Sequence, residues 1–265
     1  RDTWWNRTVD ARSVNENDQA LYQQIIKQYG TDSDEARVEV YGMFPRQGDH
    51  QFISRGEVDD AMNRKIDADM GAPLLMGVDP ARFGDDEAVI AFRQGRNADV
   101  IPWRSYKRCS TSELASSCAE YIDKYKPDGV FVEGDGVGGG VIDILREYGY
   151  RIIEVTAGGG AENKETYANH RTELWGRIRD WLPGACLPDN KGLADDLAAP
   201  MYDYSLKGQL KLEPKDRMKK RGYASPNNAD ALAMTFSRSV ARKDSGVSRR
   251  GMRKRVAKGM EYSVI

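Results

Sequence analysis

The chain has 265 residues, of which 40% are hydrophobic and 31% are charged, and its formal net charge is −1. This composition suits a water-soluble globular protein with one large or two modest domains. No apolar run approaches the roughly 20 residues of a membrane helix, so no membrane association is predicted.

Two residue counts and one missing motif exclude several kinds of site. The three cysteines are odd in number and lack metal-type spacing, which indicates a reduced, cytosolic protein. Two histidines are too few for a histidine-rich zinc site, so any metal would be held by carboxylates. The sequence contains no Gly-x-x-x-x-Gly-Lys-Ser/Thr loop, and nucleotide hydrolysis of the P-loop kind is therefore not expected of it.

The charge is unevenly distributed along the chain. Residues 239–265 contain eight basic and two acidic residues, a net charge of +6, which leaves −7 for the rest. A basic tail behind an acidic body suggests a polyanionic or acidic partner for the tail. A solvated tail without a specific partner is the alternative.

The first 70 residues are predicted to form a strap rather than an independent domain. Helical spacing of apolar residues predicts a helix over 17–29, and an alternating apolar pattern typical of extended chain follows within 33–43. A Phe-Pro pair and a glycine at 44–48 break this pattern. A second short helix is predicted over 57–64.

From Leu74 onwards the pattern becomes that of a sheet with helices. Apolar runs predict an antiparallel meander, and a later strand, helix and strand require a parallel, right-handed crossover. The predicted elements are strands at 74–78, 88–93 and 99–106, a helix capped by Ser110 or Thr111, a strand at 130–133, a helix over 141–148 and a strand over 151–155.

The C-terminal part adds helices and a small hairpin. A long helix is predicted over 165–182, and two short strands within 201–212 turn at Lys207-Gly208. In the last helix, Ser225 is the predicted N-cap and Pro226 the first helical residue. The predicted fold class is therefore α/β, with a mixed sheet flanked by helices.

An acidic residue ends the first strand of this predicted sheet. Asp79 follows a buried apolar run, and Asp85 and Asp86 lie in the turn before the next run. A carboxylate at a sheet edge is open to solvent and able to hold a cation. For this stretch alone, an ordinary turn aspartate is the alternative.

A second acidic segment lies in the later strand and the turn after it. Glu133 ends the strand at 130–133, and Asp135 follows in a glycine-rich turn. The turn is typical either of a phosphate-cradling loop at a helix N-terminus or of tight backbone packing. Carboxylates repel phosphate unless a cation intervenes, so a bound metal would reconcile the acids with a phosphate.

A third acid, Asp230, lies in the first turn of the last predicted helix, among alanines. The helix dipole alone favours an acid at this position. Small neighbours would, however, let the helix approach the sheet closely and bring Asp230 near Asp79 and Glu133.

Three carboxylates on two strand ends and a helix form the ligand set that two hard divalent cations require. Mg²⁺ and Mn²⁺ prefer oxygen ligands, keep several waters and bind substrate phosphate. Two such ions, about 3.5–4 Å apart, activate a water on one side of a phosphodiester and stabilise the leaving oxygen on the other. The acids would position the ions.

Four segments, in this order, resemble the C-terminal nuclease domain of bacteriophage large terminase subunits, which has a ribonuclease H-like fold. They are GVDPARFGDDEAVI, VFVEGDGVGGGVID, YANHRTELWGRIRDWL and KLEPKDRMKKRGYASPNNADALAMTF. The match covers about residues 74–241. The segment from Trp4 to Arg64 resembles the part that joins that domain to the packaging ATPase.

The resemblance implies an endonuclease that uses two Mg²⁺ or Mn²⁺ ions to cut concatemeric viral DNA during genome packaging. Asp79, Glu133 and Asp230 match the three catalytic, metal-binding acids, and Asp85 matches a supporting acid of some members. The family often has Asp where this chain has Glu133, so either Glu133 or Asp135 is the main ligand. The glycine turn that follows favours Glu133 by its spacing.

Basic residues near the predicted site are candidates for DNA binding, because phosphates attract them without sequence preference. The hairpin at 201–213 resembles one beside the active site in this family and is interpreted as a DNA guide. Trp175 and Arg177, on or near the long predicted helix, are further candidates for DNA contact. For Trp175 and Trp181 core packing is the alternative, and for residues 215–221 a solvated loop is the alternative. The candidates are Arg171, Lys211, Lys215, Arg217, Lys219, Lys220 and Arg221.

Three regions are therefore predicted: a strap or linker from an ATPase part at 1–70, a ribonuclease H-like nuclease domain at 71–241, and a basic tail at 242–265. The implied partners are double-stranded DNA, the portal protein, the small terminase subunit and the ATPase domain of the same polypeptide. The implied location is the host cell cytoplasm, transiently at the procapsid portal. A kinase-like, ATP-Mg²⁺-dependent protein with the same core, or a non-catalytic module that docks to DNA or portal, remains the alternative.

Overall fold

The structure, a computed structural model, describes residues 9–14, 18–31, 36–43, 50–81 and 86–243. Three predictions fall wholly or largely outside these ranges. They are the supporting acid Asp85, the break at 44–48 and all but the first two residues of the tail 242–265.

The centre of the fold is a five-stranded mixed sheet. In chain order its strands are β1 (Leu74–Asp79), β2 (Glu87–Gln94), β3 (Arg104–Lys107), β4 (Gly129–Glu133) and β5 (Ile153–Val155). In space the order is β3-β2-β1-β4-β5. The first three strands pair antiparallel, whereas β4 runs parallel to both β1 and β5. The predicted meander and parallel crossover are confirmed.

Helices cover this sheet, and a separate hairpin lies apart from it. The helices are α1 (Gln19–Tyr29), α2 (Arg55–Asn63), α3 (Thr111–Tyr125), α4 (Gly138–Glu147), α5 (His170–Trp181), α6 (Lys191–Ala198), α7 (Lys215–Lys220) and α8 (Asn227–Met234). The hairpin pairs β6 (Tyr202–Tyr204) with β7 (Leu210–Leu212) and confirms the strands predicted there. None of the helices in the described ranges is long and apolar enough to cross a membrane.

Alternation along the central strands buries both faces of the sheet. Met76 and Val78 of β1 lie with Val132 of β4 in a core that α3 and α4 complete. Leu75 and Phe131 point to the opposite face and pack with α5, α6 and α8. The sheet is therefore the middle layer of three, which is why its central strands are almost continuously apolar.

The N-terminal region contacts this core through α2 and the residues before it. Phe52, Val58 and Ala61 are buried on the side of α5, α6 and α8.

The prediction of an alternating, extended segment within 33–43 is wrong, because its described part is a π-helix at Ala36–Val40. Ala36 and Val40 are both buried, and their spacing of four is a helical one.

Two predicted boundaries are corrected, one by proline and one by capping. The strand predicted from 99 begins only at Arg104, after Pro102, which has no N–H for a ladder hydrogen bond. The helix predicted from 165 begins at His170, because the Asn169 side chain accepts a hydrogen bond from the Thr172 N–H at 2.8 Å. By contrast, the predicted cap of α3 at Ser110 is confirmed.

The predicted N-cap of the last helix is wrong by one residue. Pro226, rather than Ser225, is the N-cap of α8, and the Pro226 carbonyl accepts the first helical hydrogen bond, from the Asp230 N–H at 2.8 Å. The helices α6 and α7 were not predicted. With eight and six residues, respectively, they are too short to show a clear periodic pattern.

Candidate functional site

The ends of two neighbouring strands bring the first two predicted acids together. Val78 of β1 pairs with Val132 of the parallel strand β4, so the next residues, Asp79 and Glu133, lie side by side at one edge of the sheet. Because side chains alternate along a strand, both point away from the α3–α4 core and towards the face that α8 covers.

The third acid reaches this edge because α8 lies directly on β1. A Cβ atom at Gly77 would lie 2.1 Å from the main-chain oxygen of Ala231, so the helix backbone rests on the strand where glycine leaves room. Asp230 precedes Ala231 and is thereby carried to the strand ends. The prediction that small residues would allow this approach is consistent with the contact.

Asp230 is 2% exposed and is held by three donors from two other helices. The indole Nε1 of Trp175 and the Nε of Arg171, both on α5, donate to its Oδ1 at 2.8 and 3.2 Å. The Nζ of Lys215, on α7, lies 2.9 Å from its Oδ2. Burial would raise the pKa of Asp230, but the charges of Arg171 and Lys215 outweigh burial and hold the pKa below its usual value.

Asp79 has the opposite electrostatic environment. It is 3% exposed, and its Oδ2 has no hydrogen-bond partner within the described part of the chain. Burial raises its pKa well above the usual value, and the neighbouring carboxylates of Glu133 and Asp230 raise it further, against the charge of Lys215. Asp79 is therefore a buried carboxyl group whose ionised form is disfavoured.

Lys215 is the cation that the three acids share. Burial alone would lower its pKa, but the carboxylates of Asp230, Asp79 and Glu133 together raise it above the usual value. The sequence placed Lys215 among seven candidate DNA-binding residues, with no sign that it would face the acids. Its spacing within the basic run 215–221 contains no such signal.

The donor chemistry of this acid cluster, defined as Asp79, Glu133 and Asp230, fits a hard divalent cation. All its potential metal ligands are carboxylate oxygens. Within the described part of the chain, the Oδ2 atoms of Asp79 and Asp230 are buried without a hydrogen-bond partner, although that of Asp230 lies 2.9 Å from the Lys215 Nζ. As the side chains stand, the described ranges contain no group of three acidic, histidine or cysteine residues arranged to hold a metal ion. In this arrangement the ammonium group of Lys215 supplies the positive charge.

Asp135, the other candidate ligand after β4, has a different environment. It is exposed, and its Oδ2 accepts a hydrogen bond from the Gly158 N–H at 3.1 Å. Glu133, in contrast, lies beside Asp79 at the ends of the paired strands β4 and β1. The geometry therefore associates Glu133 with the cluster and assigns Asp135 to holding the loop before α5.

The candidate DNA-binding residues fall into two groups. Some are engaged within the protein: Arg171 bonds to Asp230 and to the Glu213 carbonyl, Lys215 to Asp230, Lys219 to Asp86, and Arg221 to Glu213. Lys211, Arg217 and Lys220 are exposed and form no ion pair with a described residue. The second group alone is free to meet a phosphate without breaking an existing pair.

Trp175 and Trp181 belong to the core, as the alternative interpretation held, with 0% and 8% exposure. Trp175 also donates to Asp230, a role that sequence reasoning missed. A signal for it was present, since Arg171 and Trp175 are four residues apart and so share one face of a helix.

Replacing Lys215 by alanine is expected to leave Arg171 as the one ion-pair partner of Asp230 among the described residues. We expect the metal-free protein to lose about 1–3 kcal/mol of stability, less than a fully buried pair because Lys215 is 33% exposed. Mn²⁺ should then raise the melting temperature more in the variant than in the parent chain. Thermal unfolding with and without Mn²⁺ measures both effects.

The matched control is Lys219→Ala, which removes a lysine that is 51% exposed and pairs with Asp86. It should change neither stability nor the response to Mn²⁺ by more than about 0.5 kcal/mol. Equal Mn²⁺ shifts in Lys215→Ala and the parent chain would contradict a cation site at the acid cluster.

Strand order, strand directions and the acid-lined edge define this chain as an α/β protein of the ribonuclease H-like fold, as predicted. No family model matches it, and no curated protein matches its sequence. In fold it resembles the nuclease domain of the large terminase subunit of bacterial virus Sf6, with a TM-score of 0.62 at 20% identity over 72% of this chain and 99% of that chain.

Two further solved structures are similar. The large terminase nuclease of thermophilic phage G20c has a TM-score of 0.54 at 13% identity over 72% of this chain and 98% of that chain. The nuclease domain of Thermus phage P74-26 has a TM-score of 0.50 at 11% identity over 71% and 98%. Variants of the Sf6 domain have been solved with manganese or calcium, and the G20c nuclease with cobalt or magnesium. The predicted resemblance to phage terminase nuclease domains is confirmed at the level of fold.

Proposed function

We propose that this chain is a divalent-metal-dependent endodeoxyribonuclease that cuts concatemeric viral DNA during genome packaging. The observation that carries the proposal is the convergence of Asp79, Glu133 and Asp230 at one edge of a ribonuclease H-like sheet. Within the described residues, Asp79 has a buried oxygen without a hydrogen-bond partner, and it lies beside Glu133 and beside Asp230, which pairs with a lysine. Hard cations prefer such clustered carboxylate oxygens as ligands.

In this proposal Asp79, Glu133 and Asp230 hold two Mg²⁺ or Mn²⁺ ions with Asp85 in support, while Asp135 holds the loop before α5 rather than an ion. The ions, when bound, supply an activated water and stabilise charge at the phosphodiester. The remaining residues position the acids: Arg171 and Trp175 fix the Oδ1 of Asp230 and leave its Oδ2 towards Lys215.

Hydrogen bonds to Glu213 hold in place the segment that carries Lys215. Glu213 is 7% exposed and accepts hydrogen bonds from the Nε and NH2 of Arg221 at 2.8 and 2.5 Å. Its carbonyl accepts from the NH1 of Arg171 at 3.1 Å. The turn between β7 and α7 is therefore tied to the same arginine that holds Asp230, which couples the position of Lys215 to that of the acid.

DNA is the proposed substrate, and basic residues around the cluster are its proposed phosphate contacts. Exposed lysines and arginines attract the backbone of any sequence, as a cutter of many sequences requires. The residues without an ion pair in the described ranges are Lys211, Arg217 and Lys220. Four others would contact phosphate only after giving up their present acidic partners, and they are Arg171, Lys215, Lys219 and Arg221.

The proposed setting is a packaging motor in the host cytoplasm, transiently at the procapsid portal. Residues 1–70 would link this nuclease domain, residues 71–241, to an ATPase part of the same polypeptide. The portal protein and the small terminase subunit are the proposed protein partners, and the basic tail 242–265 is a candidate contact with one of them or with DNA.

Metal removal tests the function directly. The chain is expected to cut plasmid DNA with little sequence preference in Mg²⁺ or Mn²⁺, and cleavage should fall below detection in EDTA and return when the metal is restored. Agarose gels of supercoiled plasmid measure the conversion to nicked and linear forms. Cleavage that persists in EDTA, or no cleavage with either metal by a protein that binds DNA, would refute the proposal.

A further inference from the structure

A cavity of about 720 Å³ lies between the hairpin β6–β7 and the segment before α2. We call it the hairpin groove and define it by the six lining residues that matter here. They are His50, Tyr202, Tyr204, Lys207, Lys211 and Arg217. The proposed chemistry of the acid cluster does not use the three aromatic residues.

The aromatic side chains of the hairpin groove form a connected series. Tyr202 and Tyr204 lie two residues apart on one face of β6, with ring centroids 5.8 Å apart and planes at 88°. The ring of His50 lies 5.9 Å from that of Tyr202 at 71°. Tyr204 is 61% exposed, so it presents an uncovered ring in the groove.

The same series leads inward to the acid cluster. The ring centroid of Phe52 lies 6.4 Å from that of Tyr202 and 6.4 Å from that of Trp175. The indole of Trp175 donates to Asp230. Pro214, which also lines the groove, directly precedes Lys215, so the groove and the cluster share a wall. The rings of Phe52 and Trp175 are buried, so the groove adjoins the cluster along the segment 213–215, where Glu213 and Pro214 line the groove and Lys215 pairs with Asp230.

The charge of the hairpin groove is complementary to nucleic acid. Lys207, Lys211 and Arg217 are exposed and form no ion pair with a residue in the described ranges. Of the two lining acids, Glu213 is neutralised by Arg221, and Asp203 lies directly opposite Lys211 in the hairpin, which leaves Lys207 and Arg217 as the uncompensated cations. A cationic groove with free aromatic faces is the combination that binds single-stranded nucleic acid.

The tip of the hairpin adds an apolar side chain. Leu206 is fully exposed and lines the groove beside Lys207. A leucine without apolar neighbours gains free energy when it contacts base faces, and apolar side chains of this kind hold separated base steps apart.

We infer that the hairpin groove binds unpaired DNA bases by stacking on Tyr204, so that the neighbouring acid cluster receives DNA in which the strands are locally separated. The inference rests on the proposed function and specifies its substrate: a duplex with unpaired nucleotides rather than a fully paired one. Lys207, Lys211 and Arg217 would contact the phosphates of the displaced strand.

The test measures binding in EDTA, so that no cleavage intervenes. Two DNA probes of equal length are compared, one fully paired and one with a central unpaired stretch that carries 2-aminopurine, whose fluorescence is quenched by stacking. The full chain is expected to bind the unpaired probe at least about 10-fold more tightly and to quench it. Tyr204→Ala should weaken this binding by about 5-fold to 150-fold, the range for one stacked base, and abolish the quenching.

Two variants separate stacking from a general loss of structure. Tyr204→Phe keeps the ring and should retain tight binding and quenching. Tyr148→Ala removes a tyrosine that is 56% exposed, directly follows α4 and does not line the groove. It should also retain tight binding and quenching. Binding of the fully paired probe should be the same in all four proteins.

Equal affinity of the parent chain for the two probes would overturn the inference, as would an equal loss for both probes in Tyr204→Ala. The outcome is independent of catalysis. If the chain never cuts DNA yet binds the unpaired probe through Tyr204, the proposed function fails and the stacking groove stands. If the chain cuts paired DNA with Mn²⁺ but binds the two probes equally, the proposed function stands and the stacking groove fails.

Discussion

Asp79→Asn is expected to abolish metal-dependent cleavage of DNA and to leave the fold intact. The amide replaces a carboxylate oxygen that is buried without a hydrogen-bond partner in the described part of the chain, and because an amide is a weaker ligand, the affinity for a hard cation falls. The fold should tolerate the change because burial and two neighbouring acids already disfavour the ionised form of Asp79. We expect a loss of at least about 10²–10³-fold in the cleavage rate. Plasmid cleavage in Mn²⁺ and circular dichroism measure the two effects.

Glu133→Gln and Asp230→Asn should lose cleavage to a similar extent, but they differ in stability. Asp230 is ion-paired with Lys215 and Arg171, so its neutralisation leaves two cations without a partner and should cost about 1–3 kcal/mol. Glu133 has no such pair in the described residues and should behave like Asp79. Urea unfolding of the three variants distinguishes these cases.

Two aspartates serve as controls. Asp143→Asn changes an exposed residue of α4 and should leave cleavage unchanged. Asp135→Asn should reduce cleavage only slightly, since Asp135 bonds to the Gly158 N–H rather than to the cluster. Parent-level cleavage by Asp79→Asn, with unchanged metal dependence, would show that the acid cluster does not hold the catalytic metal.

Gly77→Ala is expected to destabilise the protein by about 3 kcal/mol, at the upper end for overpacking of a core. The added Cβ would lie 2.1 Å from the Ala231 main-chain oxygen and 2.9 Å from the Thr235 side chain. Main-chain atoms of a packed helix cannot move aside as a flexible side chain does, so α8 must lift from β1. A helix displaced in this way moves Asp230 away from Asp79, and cleavage should be lost in any fraction that still folds.

Urea unfolding measures the change in stability, and Gly139→Ala is the matched control. A Cβ atom at Gly139 would lie 3.8 Å from the Gly134 main-chain oxygen, an ordinary van der Waals distance. Because Gly139 lies in α4, alanine there should be neutral or stabilising by up to about 1 kcal/mol. An unchanged unfolding midpoint for Gly77→Ala would mean that the helix does not rest on the strand.

The elements that sequence reasoning predicted well have local causes. The capping box of α3 needs only Ser110 and Glu113, three residues apart, and both of its hydrogen bonds are present. The apolar runs of β1 and β2 are bounded by turn residues, and their antiparallel pairing follows from their proximity in the chain. The parallel direction of β4 and β5 follows from the helix between them.

The elements that were wrong or missed depend on distant contacts. The helix α7 has only six residues and is held by the burial of Met218 and by the contact of Lys215 with Asp230. The π-helix at Ala36–Val40 was mistaken for an extended segment, because two valines spaced by two residues fit a strand as well as an irregular turn. Short segments contain too few residues for a period to outweigh such contacts.

The amino-acid sequence by itself determined where the apolar runs of β1 and β4 end and, to within one residue, where the last helix begins, since hydrophobic periodicity and turn residues are local properties. It therefore identified Asp79, Glu133 and Asp230 as acids at the ends of buried elements. Only the tertiary structure decided that α8 packs on Gly77, that Trp175 and Arg171 hold Asp230, and that Lys215 neutralises the cluster. These contacts join residues that are far apart in the chain, and their energies depend on burial and on charges that no local pattern encodes.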